Sequence, residues 1–159
     1  MYINYNNRGR GGFGGRGSNS SGNSSRETSM IPAAKPLPKD YMTEAGEAME
    51  EIRKESQKNQ ITPTKLRNLY SLAMCIYDKE LRRSESQLLP EDQTKLTLME
   101  MRVLYECGRD NAVKLFVDQT QLLSYLKGIK NSRQAYLNFA HYMEALVAYH
   151  RFLGIGGKN

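Results

Sequence analysis

A chain of 159 residues has room for one domain with a sizeable core and a tail. Lysine and arginine outnumber aspartate and glutamate by 23 to 17, a formal charge of +6, which points toward anionic partners. No apolar run approaches the ~18 residues of a membrane-spanning helix and no apolar leader opens the chain, so the expectation is a cytoplasmic protein without a membrane role.

The first segment, residues 1–39, is Gly-, Ser-, Asn- and Arg-rich. It has too few apolar side chains to offset the entropy of ordering and is expected to be disordered. Within it "RGRGGFGGRG" (8–17) sets Arg8, Arg10 and Arg16 beside Phe13, offering charge and stacking to single-stranded RNA; the same residues also suit a tail that only solubilises. "IPAAKPLPKD" closes the segment as a proline-stiffened linker.

Residues 40–159 read as an all-α domain, a compact bundle of about five helices. "DYMTEAGEAMEEIRKESQ" places Met42, Ala45, Ala48, Met49 and Ile52 on one face, acidic early and basic late. "ITPTKLRNLYSLAMCIYDKELRR" predicts one helix with Thr62 as N-cap and Pro63 in its first turn. Its stripe is Leu66, Leu69, Tyr70, Ala73, Ile76 and Tyr77. A third helix begins at Pro90 and ends near Gly108, and one or two shorter helices cover "NAVKLFVDQTQLLSYLKG" up to Gly128. The last starts after Ser132, carries Tyr136, Phe139, Tyr142, Met143 and Leu146, and stops at Gly154. The lone cysteines, Cys75 and Cys107, fall inside these helical patterns and read as reduced core thiols.

Catalytic patterns are scarce. His141 and Glu144 have a metal-ligand spacing on one helix, but no second pair joins them. No nucleophile elbow, phosphate loop or zinc-protease helix is present, so no cofactor and no metal are expected and the reading is a binding protein rather than an enzyme. His150, near a helix end, suits an interaction with the helix dipole. Basic residues recur at helix starts and junctions: Lys65, Arg67, Arg109, Lys127, Lys130 and Arg133. There they can reach a phosphate backbone together with free helix N–H groups. They also suit an ordinary solvated surface. Arg109, after "YECG", reads as either a clasp on backbone carbonyls or a fork on phosphate.

"TPTKLR" (62–67), "YECGRDNAVKLF" (105–116) and "FAHYMEALVAYHRFLGIGG" (139–157) occur in order. Together they resemble the small helical subunit of type III-A CRISPR effector complexes, the Csm small subunit, over roughly residues 40 to 157. The tail has no counterpart in that pattern. The resemblance implies a non-catalytic helical bundle that stacks head to tail in several copies. It also implies partner subunits, and a basic face that supports guide RNA and target RNA through phosphate contacts. The family's basic positions match Lys65, Arg67 and Arg109; Lys127, Lys130 and Arg133 extend the set on charge and position alone. The competing expectations are a free-standing Arg/Gly RNA-binding or chaperone protein whose bundle is an oligomerisation module, and a small metal enzyme centred on His141 and Glu144.

Overall fold

A computed structural model describes residues 31–157. The tail with Arg8, Arg10 and Arg16 lies outside the described residues. Among the described residues there are seven α-helices: α1 Tyr41–Lys54, α2 Pro63–Ala73, α3 Tyr77–Leu81, α4 Pro90–Arg109, α5 Asn111–Gln119, α6 Leu122–Gly128 and α7 Arg133–Leu153. A single turn of 3₁₀ helix, Gln57–Asn59, joins α1 to α2. The fold is all-α, as the periodicity predicts.

Helix α7 is the axis of the bundle, packing against α1, α2, α3 and α6, while α4 and α5 close the far side. Its apolar residues recur at three- and four-residue steps and cover most of its middle turns, leaving a polar strip of Gln134, Asn138, His141 and Glu144. Tyr136, Phe139, Tyr142, Met143 and Leu146 are accordingly fully buried. The two buried tyrosines each carry a hydroxyl that burial leaves in need of a partner. Tyr142 donates to the Thr120 carbonyl at 2.7 Å and Tyr136 to the Ala73 carbonyl at 2.7 Å.

That second bond explains a departure from the expected single helix over 62–83. Ala73 ends α2, and residues 74–76 form a turn before α3. Tyr136 satisfies a carbonyl that the helix end would otherwise orphan, and the turn buries Ile76 to 1 % exposure. It also turns Cys75 outward. The expectation of two core thiols is therefore corrected: Cys75 is exposed and Cys107 half-buried. Burial pushes the Cys107 thiol up to about 11, which keeps it protonated and poorly nucleophilic. In α1, Met42 is exposed and Tyr41 packs on the core instead.

The predicted caps form where their residues stand. Thr62 Oγ1 accepts from Lys65 N–H at 3.4 Å, Ser132 Oγ accepts from Ala135 N–H at 3.1 Å, and Gly154 ends α7 with φ 64°. Gly108 does not break a helix, for α4 runs through it to Arg109. The break is made by Asp110, extended at φ −145° and ψ 113°, whose Oδ1 caps α5 by accepting from Ala112 N–H at 2.9 Å and Val113 N–H at 3.2 Å.

Residues 31–39, expected as the last part of a linker, run along α6. Lys35 N–H donates to the Ser124 carbonyl at 2.9 Å, Lys127 Nζ to the Pro32 carbonyl at 3.0 Å, and Leu37 packs on the core. Gly128 permits the approach: a Cβ there would stand 1.8 Å from the Lys35 carbonyl oxygen.

Candidate nucleic-acid interface

The six basic residues singled out from the sequence do not form one cluster. Lys65, in the first turn of α2, bonds through Nζ to the Asp110 carboxylate that caps α5, joining two helix starts 45 positions apart. This bond, ahead of the capping amides, holds the Asp110 carboxyl below the usual carboxylate range. Because Thr62, Asp110 and Ser132 accept from the leading amides of α2, α5 and α7, those N–H groups are occupied. The capped amides are those of Lys65 in α2, Ala112 and Val113 in α5 and Ala135 in α7.

Arg67 is exposed on the next face of α2, on a groove of about 530 Å³ shared with Tyr70, Val147 and Arg151. On the opposite flank of α2 runs a second groove of about 520 Å³, with Leu69, Leu72 and Met99 in its lining and Lys65, Lys95 and Arg102 among its polar residues. Helix α2 is thus a ridge with cationic groups on both sides.

Arg109 stands on the exposed face of α4. Its guanidinium lies 5.6 Å from the centre of the Tyr105 ring, and that of Arg102 lies 5.5 Å from the same ring. Glu106 lies between them, 3.0 Å from Arg102 and 3.9 Å from Arg109. Among the described residues Arg109 meets Glu106 and Tyr105 rather than a backbone carbonyl. Arg102 and Lys95 were not singled out from the sequence; the spacing Arg102–Tyr105–Arg109, three then four residues along a helix, is the signal that finds Arg102, and none of this kind finds Lys95.

The remaining three are placed elsewhere. Lys127 and Lys130 border a shallow groove between α4 and α6 with Gln93, Glu100 and Asn131, and the Lys127 ammonium is already bonded to Pro32. Lys130 is exposed at φ 53° in the turn before α7. Arg133 has a different task from the one expected: it is the carbonyl clasp. Its side chain is only 14 % exposed, and Nε donates to the Glu80 carbonyl at 2.6 Å while a terminal nitrogen reaches the Leu81 carbonyl at 3.4 Å. It ties the start of α7 to the last turn of α3, where unpaired carbonyls need donors.

The histidines are similarly occupied. His150 is buried, with Nε2 2.8 Å from the Ile61 carbonyl, so it donates to that carbonyl and anchors the α1–α2 connection; burial lowers its pKa. His141 Nε2 lies 3.2 Å from the Tyr77 hydroxyl. Among the described residues no group of three or more His, Cys, Asp or Glu is placed to hold a metal, and no helix is long and apolar enough to cross a membrane.

The face opposite in charge belongs to α1. Glu44, Glu47, Glu50 and Glu51 border a groove with Tyr149 and Phe152, and Phe152 is 85 % exposed. Phe152 is thus a large apolar side chain left exposed beside four carboxylates.

Comparison with known proteins places these features. The family model described as Csm2 Type III-A matches residues 39–155. The CRISPR system Cms protein Csm2 of Mycobacterium tuberculosis (strain H37Rv) is 38 % identical over 115 residues, covering 72 % of this chain and 91 % of the relative. Its namesake from Streptococcus thermophilus is 33 % identical over the same length and coverage. That from Enterococcus italicus is 32 % identical over 100 residues, covering 62 % of this chain and 71 % of the relative. The match begins at the entry to α1 and ends just past the Gly154 cap of α7, enclosing the whole bundle with its cationic ridge and its acidic face: the chain belongs to the Csm2 type III-A family.

Proposed function

We propose that the chain is a non-catalytic structural subunit of a cytoplasmic type III-A CRISPR effector complex. It stacks in several copies beside guide and target RNA and contacts their phosphate backbone. The observation that carries this reading is the cationic ridge around α2 and α4, with Arg67 and Arg109 exposed and Lys65 half-exposed at its head, in a chain of this family. A complex that accepts any target leaves base reading to the guide, so the protein needs only charge and shape. Each bundle binds weakly, and repetition along the strand makes the binding multivalent. Copies stacking head to tail need two different faces. The acidic groove of α1 with Tyr149 and Phe152, lined by none of the cationic residues of α2 and α4, supports one of them. Arg8, Arg10 and Arg16 add a sequence-blind capture arm for RNA.

The test is recovery of the tagged full chain from cells carrying type III-A partner subunits and a guide. The reading expects a guide RNA and the larger subunits in stoichiometric amounts. Recovery of the chain alone with mixed cellular RNA would instead establish the free-standing Arg/Gly RNA-binding protein.

A further inference from the structure

Tyr105 has more built around it than a phosphate contact requires. The ring is 59 % exposed in the C-terminal part of α4. Arg102 and Arg109 flank it along the helix, about 4.5 Å before and about 6 Å after it in axial rise. Both guanidiniums lie within the ~6 Å reach of cation–π attraction. With both cations over it the ring is still 59 % exposed, so much of it is open to a further partner. Glu106 Oε1 and Oε2 face one arginine each. One carboxylate thereby holds both cations beside the ring while leaving most of their five donors apiece for another acceptor. Arg102 also borders the 520 Å³ groove that Lys65 and Lys95 share, a volume within the range of small-ligand sites.

We infer that Arg102, Tyr105 and Arg109 form a stacking site for an unpaired RNA nucleotide, the base lying on the Tyr105 ring and the flanking phosphates on the two guanidiniums. The inference rests on the RNA-binding reading above and adds to it a preference for single strands. A base inside a duplex is stacked on its neighbours and has no free face to offer, whereas unpaired bases stack readily on aromatic rings and guanidinium planes. The site reads no sequence, because every base has a π-face. Each stacked protein therefore holds one splayed nucleotide without compromising indifference to the target.

The experiment measures binding of the full chain to three labelled probes by fluorescence anisotropy: a short oligoadenosine strand, a strand of the same length with abasic sites, and a duplex. The wild type binds the base-bearing strand more tightly than the abasic one. Tyr105→Ala weakens the base-bearing strand by roughly five-fold or more, the scale of one lost base–aromatic stack, and leaves the abasic strand unchanged. Tyr105→Phe retains the preference, since the ring and not the hydroxyl carries it. Equal binding of Tyr105→Ala and wild type to the base-bearing strand overturns the stacking site while leaving the phosphate reading intact. Failure of the wild type to bind any probe overturns both. Loss of self-association in Tyr105→Ala by sedimentation, with RNA affinity unchanged, assigns this face to protein contact and overturns the stacking site as well.

Discussion

Replacing Arg133 with alanine separates the structural cations from the RNA-facing ones. The side chain is 14 % exposed and its 2.6 Å bond to the Glu80 carbonyl is a charged hydrogen bond of the kind that contributes ~1.5–3 kcal/mol. The contact to Leu81, at 3.4 Å, is near the limit of hydrogen bonding and adds little. Arg133 also stands 3.8 Å from the Glu80 carboxylate, which is fully buried. Removing the last partner of a buried charge costs ~3–5 kcal/mol. Here Arg83 still holds both Glu80 oxygens, at 2.9 and 2.8 Å, and burial together with Asp92 already pushes the Glu80 carboxyl up toward its neutral form. The loss is therefore set by the carbonyl bond, about 2–3 kcal/mol. For a domain of this size that lowers the melting temperature by roughly 8–12 °C. Circular dichroism melts of the full chain give the stability, and anisotropy with a short RNA, well below the melting range, gives the affinity. The account expects a large fall in the first and less than a two-fold change in the second. A variant that melts like the wild type but binds RNA poorly would place Arg133 at the interface and refute the clasp.

Other consequences follow from the same contacts. Gly128→Ala forces a Cβ into the Lys35 carbonyl and should release residues 31–37 from α6, read as faster hydrogen exchange of the Lys35 amide, which is bonded to the Ser124 carbonyl, with the helical signal retained; exchange equal to wild type contradicts the docking. Burial lowers the pKa of His150 below its ordinary 6.5, against the opposing effect of the Ile61 carbonyl. Between the two values the unfolded chain binds a proton that the folded chain refuses. The contribution of His150 is thus full above about pH 6.5 and is lost as pH falls through that window. His150→Gln should be less stable than wild type at neutral pH and show a shallower fall in melting temperature from neutral to mildly acidic pH; an unchanged fall removes His150 as its source.

Helix ends were legible because their signals are local. Thr62 with Pro63, Pro90, Ser132 and Gly154 each act within a few residues of themselves. The α2–α3 break was not, since the group that satisfies Ala73 is Tyr136, 63 residues away, and with it went the placement of Cys75. At the junction before α5, glycine drew attention where the capping aspartate did the work. Basic residues were legible as charges but not as partners: the Lys65–Asp110 and Arg133–Glu80 contacts span 45 and 53 residues, and no periodicity reports them. The Arg102–Tyr105–Arg109 spacing was there to be read, but an exposed tyrosine in an amphipathic helix looks like part of a core stripe until burial is known. Residues 31–39 pair with α6 through backbone groups, which composition does not reveal.

The most direct test of the RNA-supporting role is the salt dependence of binding to single-stranded RNA, compared between the full chain and its Lys65→Ala/Arg67→Ala/Arg109→Ala variant. Melting is measured in parallel, because Lys65 also holds Asp110. Each phosphate contact on a single strand contributes ~0.7 to the log–log slope. The account predicts a slope shallower by about 2 for the variant, equally on strands of different sequence. A folded variant with the wild-type slope would show that these residues touch no phosphate and would contradict the account.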